Sequence, residues 1–337
     1  MKDHGSGRLV LQNEQLRITV TPEVGGTITA VEHKGLGASV LGTVPWAPEA
    51  TPLEPGAARE ETLWLTRYTG GWPLLFPNGG DACEFEGVFH GFHGEGSITP
   101  WQVTAAEHTR LGLARRFVSS PVEMHREIAL EGDVVAVRER VRMLGDRPVR
   151  AMWGHHPTFG SDLLAGSFEI QSGARRVTVD DGYDPPTNPL IAGAKGDWPF
   201  VPGKQGPYDL RRPAGKLGAL AYLQDFAGPW ISIRRLDNSV AVALSWDQTI
   251  FPCAWLWLEL GGNEAPPWDG KTRLIGLEPN TTWPANGLAE ADRRGAPLLP
   301  LRPGAEIRAW VRLHVFKPRG GRVRGVDAAG RALAAGN

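Results

Sequence analysis

Val135-Ala136-Val137-Arg138-Glu139-Arg140-Val141-Arg142-Met143 decides the fold class. Val135, Val137, Val141 and Met143 share one parity with Glu139, and Arg138, Arg140 and Arg142 hold the other, which is the period of two of a strand with a basic outer face. The pattern recurs toward both ends. Leu16, Ile18 and Val20 alternate with Arg17, Thr19 and Thr21 until Pro22 to Gly26 ends the run, and Ile307, Ala309, Val311, Leu313 and Val315 repeat it late in the chain. Ile231 and Ile233, then Val240, Val242 and Leu244, flank Asp237-Asn238-Ser239, a hairpin connection within a meander. No window beyond about a dozen residues keeps a helical period without Gly or Pro, so helices should be short turns only.

Composition agrees with an all-β chain. It has 337 residues with 43 Gly, 28 Pro and 13 Trp, which implies many turns and aromatic surfaces. Large β-sandwiches and barrels reach this length as one unit, so we expect a single domain over residues 1–318. Residues 319–337, rich in Arg, Gly and Ala, read as a loosely held tail. Lys and Arg number 36 against 37 Asp and Glu, so no overall field favours nucleic acid or a membrane surface, and a small neutral partner fits better. Cys83 and Cys253 are too few for a disulfide framework or a thiolate metal site, and we expect buried free thiols. The first residues lack a signal-like apolar core and no later run is long enough to span a bilayer, which makes the cytoplasm the expected address. Two irregular stretches, residues 44–58 and 183–218, read as rim loops around a site.

Three polar landmarks interrupt the strand-like text: His93 in Phe92-His93-Gly94-Glu95, His156 in Gly154-His155-His156-Pro157-Thr158-Phe159, and Glu278 in Ile275-Gly276-Leu277-Glu278-Pro279. Two imidazoles and a carboxylate suit proton transfer to and from a sugar, although each alone would more often be structural. If residues 89–99 are extended, His90 and His93 face opposite ways while His93 and Glu95 share a face. The same rule separates His155 from His156, one facing the site and one supporting it or pointing to solvent. Glu278 ends an apolar run, where burial would raise its pKa towards neutrality unless donors stabilise the anion. Trp255 and Trp257 share a face with Glu259, and Leu256, Leu258 and Leu260 take the other. Most Trp rings should pack in the core or rim, but one or two in a cleft would grip the apolar face of a pyranose.

The order of His93-Gly94, Trp101, His156-x-x-Phe159 and Leu277-Glu278-Pro279 resembles the aldose 1-epimerase (galactose mutarotase) family and its hexose-phosphate epimerase relatives. Residues 12–28, through Gly25-Gly26, are similar to the family's opening strand and turn, and residues 301–306 to its closing segment. The similarity spans roughly residues 9–316. It implies a large antiparallel β-sandwich, the galactose mutarotase-like supersandwich, with a concave sugar-binding face. Two departures stand out. After Leu75-Phe76-Pro77-Asn78, where galactose mutarotases place a sugar-binding Arg, this chain has Gly79-Gly80-Asp81, and Ser97 replaces the Arg of the hexose-phosphate relatives.

The resemblance implies an aldose 1-epimerase for a free, non-phosphorylated aldose, with Glu278 as base, His156 as acid and His93 orienting the ring oxygen or a neighbouring hydroxyl. Asn78, Asp81, Glu95, Asp247 and Trp257 are the candidate sugar-binding residues, and His156 is preferred to His155 because the resemblance is closest around it. No metal or organic cofactor is needed, and a monomer or a homodimer is compatible. Two other readings stay open: a catalytically silent sugar-binding or sensor protein, and a cupin-type metal enzyme using His90 or His93, Glu95, and His155 or His156.

Overall fold

The computed structural model describes residues 7–46 and 61–334. Within these, strands dominate and every named pairing is antiparallel, as the period-two text predicts. Leu9–Gln12, Leu16–Thr21, Thr27–His33 and Ala38–Ser39 form a four-stranded sheet. A 14-stranded sheet carries most of the rest. Its path runs from Leu74–Leu75 through Gly154–His155, Arg273–Asn280, Cys253–Leu260, Gly218–Arg235, Ala241–Trp246, Glu306–Phe316 and Val134–Met143 to Val122–Glu131 and beyond.

Gly218–Arg235 is the pivot of that sheet. Residues 218–223 pair with Cys253–Leu260 and residues 230–234 with Ala241–Trp246, so one long strand serves two neighbours in turn. A bulge between Ser172 and Ala174 in the strand alongside lets it follow the pivot. Gly173 has no substitute there, because a Cβ would lie 2.1 Å from the Gly228 carbonyl oxygen. The expected hairpin forms at residues 237–239, with Ile233 opposite Val242 and Ile231 opposite Leu244.

Parity sets the core. Val135, Val137, Val141 and Met143 are buried while Arg142 is exposed, and Val311, Leu313 and Val315 pack into the same layer. Each fully buried aliphatic side chain adds about 1.5–3 kcal/mol of transfer free energy, largely offset by lost chain entropy. Glu139, on the inner parity, is also buried and needs partners. It accepts from Arg126 Nε at 2.6 Å and Trp153 Nε1 at 3.0 Å, and His155 Nε2 lies 3.1 Å away. Trp72 Nε1 donates to His155 Nδ1 at 3.1 Å, so the neutral ring carries its proton on Nε2, facing Glu139. Burial alone would raise the pKa of Glu139, but the Arg126 charge and then His155 hold it down to about 2.

Several expectations are corrected. The tail is not loose through residue 334: Val323–Val326 and Ala332–Ala334 form a hairpin, Val323 is buried, and the Ala332 N–H donates to His314 Nδ1 at 3.0 Å. Residues 183–218 hold three short strands rather than irregular chain alone. Of the stretch 44–58, residues 47–58 lie outside the described residues. Cys253 is buried, whereas Cys83 is only half-buried. Among the described residues two short α-helices occur, Glu61–Leu65 and Gly287–Arg293, and no helix is long and apolar enough to cross a membrane.

Candidate active site

A cavity of about 270 Å³ opens at the end of the sheet that holds Arg273–Asn280 and Cys253–Leu260. That is near the lower bound of the ~300–1,000 Å³ of drug-sized sites, so the ligand is small. Glu278 stands opposite Trp255 and Gly276 opposite Trp257, and all four lie on the cavity side of the strands. Leu277 and Ile275 point the other way into the core with Leu256 and Leu258. Gly276 makes room for the carboxylate to fold back, since a Cβ there would sit 2.2 Å from Glu278 Oε1.

Adjacent histidines separate as alternation requires. His155 enters the core with Glu139, and His156 lines the cavity. His156 Nε2 lies 3.6 Å from Glu278 Oε1. Its Nδ1 is 3.0 Å from Thr158 Oγ1, which is 2.6 Å from the Tyr68 hydroxyl, so a three-member polar chain fixes the ring. His93 reaches the cavity by a different device. It has φ of 58°, its N–H donates to the Gly80 carbonyl at 2.9 Å, and its Nδ1 accepts the Gly80 N–H at 2.9 Å. Neutral His93 therefore presents Nε2–H as a donor.

Burial governs the titration of this trio. His93 is pushed well below its ordinary pKa by burial and then by neighbouring His156, and burial lowers His156 to about 4. Burial also pushes Glu278 well above the usual carboxylate range. Over the interval between those two values the His156–Glu278 pair holds one proton, which burial places on Glu278.

Aromatic rings form the walls. Trp64 stacks on Tyr68 at 4.7 Å and meets His93 edge-on at 4.7 Å, while Trp257 lies 5.7 Å from His156 and 5.4 Å from Trp268. Asp180 accepts the N–H groups of Gly182 and Tyr183 at 2.8 and 2.5 Å, which sets Tyr183 at the wall. Tyr183 lies beside Glu259 and Trp257, and burial raises the pKa of its hydroxyl.

Of the sequence candidates, the cavity is lined by Glu278, His156, His93, Asp81 and Trp257. Asn78, Glu95 and Asp247 lie elsewhere. Asn78 ties loops together, donating to the Asp81 and Gly91 carbonyls at 2.8 and 3.0 Å and accepting from Leu288 N at 2.9 Å. Residues 89–99 are not extended: the strand stops at His90, and a 3-10 turn occupies Glu95–Ser97. Glu95 consequently turns away from His93 and binds Arg115 at 2.9 Å, with the N–H groups of Val118 and Ser119 at 2.9 and 2.8 Å. Asp247 caps its own turn, accepting Thr249 N at 3.0 Å, beside an Arg-lined groove remote from the cavity. Gly79 cannot be exchanged for Arg without movement, since a Cβ would already meet the Trp255 ring at 3.0 Å. Sequence reasoning missed Glu61, Trp64, Tyr68 and Trp268, although Trp64 and Tyr68 are four apart, the spacing of one helical face.

Among the described residues no three His, Cys, Asp or Glu side chains converge as metal ligands, and His155 and Glu95 are engaged by other partners. No family profile and no curated protein matches the chain. Solved structures do. A protein from Synechocystis sp. PCC 6803 is 18% identical with a TM-score of 0.67, covering 92% of this chain and 96% of its own. A candidate aldose 1-epimerase of Escherichia coli K12 is 17% identical with a TM-score of 0.66, at 92% and 99% coverage. A galactose mutarotase related enzyme of Lactobacillus acidophilus is 15% identical with a TM-score of 0.61, at 92% and 97% coverage. The fold of this chain is therefore the large antiparallel β fold of the galactose mutarotase-like proteins, shared over nine-tenths of its length.

Proposed function

We propose that this protein is an aldose 1-epimerase that interconverts the α and β anomers of a free, non-phosphorylated aldose. The observation that carries the reading is His156 Nε2 at 3.6 Å from Glu278 Oε1, both buried, at the wall of a cavity shared with His93 and aromatic rings. Transfer of the shared proton from Glu278 to His156 forms the reactive ion pair, in which ionised Glu278 takes the proton of the anomeric hydroxyl as the bond between C1 and the ring oxygen breaks. Protonated His156 gives its proton to that oxygen, and the open aldehyde forms. After rotation about the bond from C1 to C2, the ring oxygen attacks the other face of C1 and both protons return. The Nε2–H of His93 holds the ring oxygen or a neighbouring hydroxyl in place. Excluding water from the pair strengthens each interaction, and each proton transfer supplies a factor of about 10² to 10⁴.

A non-phosphorylated substrate fits because, among the described residues, no Lys or Arg lines the cavity to meet a phosphate. Anomer exchange measured by NMR on glucose, galactose, arabinose and 6-deoxy sugars, with wild type beside Glu278→Gln, tests the reading. Acceleration by wild type that vanishes in the variant is expected. Sugar binding with no acceleration by wild type would instead identify a silent carbohydrate-binding protein.

A further inference from the structure

The charge around the cavity bears on which aldose fits. Four carboxyl groups line it, those of Glu61, Asp81, Asp180 and Glu278, and among the described residues no Lys or Arg side chain does. Asp180 is engaged with the backbone of its own turn and with the Tyr222 hydroxyl. Glu278 is not so engaged: it is 2% exposed, and among the described residues no donor lies within hydrogen-bonding distance of its carboxyl group, His156 Nε2 being 3.6 Å away. A buried carboxyl group aimed into a cavity with no protein donor is completed by a ligand's hydroxyl.

Glu61 and Asp81 are exposed and mark the mouth, whereas Glu278 and His156 mark the floor. Among the described residues Asp81 has one neutral partner, Asn286 Nδ2 at 3.1 Å, and no cation. Partial desolvation of its carboxyl group first, and then the Asp81 charge, raises the pKa of Glu61, so the two carboxyl groups sense each other. Between mouth and floor the walls are the faces and edges of Trp64, Trp257 and Trp268. Carboxylates with aromatic faces and no competing cation favour a positively charged ligand, and repel an anionic one.

Building on the epimerase reading, we infer that the site takes an amino sugar, an aldose whose protonated amine lies at the end of the ring distal to C1, against Glu61 and Asp81. With C1 and the ring oxygen at Glu278 and His156 on the floor, the far end of the pyranose faces the mouth. A phosphate or carboxylate at that end would be rejected by the same two groups.

The test is a set of binding isotherms for galactose, 6-amino-6-deoxygalactose and galactose 6-phosphate, repeated on the gluco series. Wild type is compared with the double variant Glu61→Gln and Asp81→Asn, both isosteric changes at exposed positions. The amine should bind about tenfold more tightly than the neutral parent, with the advantage shrinking in salt and vanishing in the double variant. The phosphate should not bind detectably. Equal or weaker binding of the amine, or a preference that survives the double variant, would overturn the inference. Anomer exchange on neutral sugars without any amine preference would overturn it too while leaving the epimerase reading standing. Tight, carboxylate-dependent amine binding without anomer exchange would support the ligand class and remove the epimerase reading.

Discussion

His155 and His156 are neighbours in the chain, each is buried, and each faces a buried glutamate, yet the two pairs are opposites. The core pair is closed. Both ring nitrogens of His155 are occupied, and Glu139 is neutralised by Arg126 and further bonded by Trp153. The cavity pair is open: His156 is held from behind by Thr158, and Glu278 faces space with no cation near it among the described residues. The two glutamates therefore titrate in opposite directions, with Glu139 held at about 2 and Glu278 pushed well above 4.5. Burial is common to both, so the supply of charge and donors, not burial, separates a structural pair from a reactive one.

The largest expected effect separates them by activity. Glu278→Gln should lower anomer exchange by about 10² to 10⁴ while leaving the urea midpoint unchanged or slightly raised, since it removes a buried ionisable group. Its counterpart Glu139→Gln should cost about 3–5 kcal/mol in urea unfolding, because Arg126 is left buried and unpaired. A Glu139→Gln protein as stable as wild type would show that the core pair is not what holds the sheets together there.

The pH dependence sharpens the contrast. Glu139 has a depressed folded pKa, so its contribution is present above about 4.5 and lost as pH falls toward 2, on the order of 3 kcal/mol in all. The folded pKa of Glu278 is raised, so its contribution is full below about 4.5 and lost as pH rises through the folded value. Unfolding midpoints measured against pH should therefore lose their decline on the alkaline side in Glu278→Gln and their decline on the acid side in a Glu139 variant. Activity follows the one-proton state: kcat/KM should fall below about pH 4, where His156 takes a second proton, and again above the raised pKa of Glu278. A profile flat across that range would remove the shared proton from the account. Smallest is Thr158→Val, which unpins His156 and Tyr68 and should slow exchange about tenfold in a folded protein.

How far the sequence carried varies with the local chemistry. Alternation in residues 134–143 and 307–315 was legible because one parity is apolar and a slip of one residue would expose it. Alternation also separated His155 from His156. The same rule failed at Glu95, because the chain leaves the extended region at His93, with φ of 58°, and Gly94 follows at 71°. Once the backbone turns, parity has no meaning, and Glu95 went to Arg115. Asp247 was a candidate for the sugar-binding Asp that the resemblance implies, but an Asp two residues before a Thr caps its own turn readily. Glu61, Trp64 and Tyr68 come from a helix of five residues and the turn after it, too short for periodicity to register.

The contrast between the two pairs is tested most directly by following the side-chain carboxyl carbons of glutamate by NMR across pH, with Glu278→Gln and Glu139→Gln to assign the signals. Glu139 should stay ionised down to about pH 2 and Glu278 should take up its proton well above pH 4.5. If Glu278 titrates at or below 4.5 in the free protein, the cavity is supplying charge that the account says is absent, and the open pair at its centre would not exist.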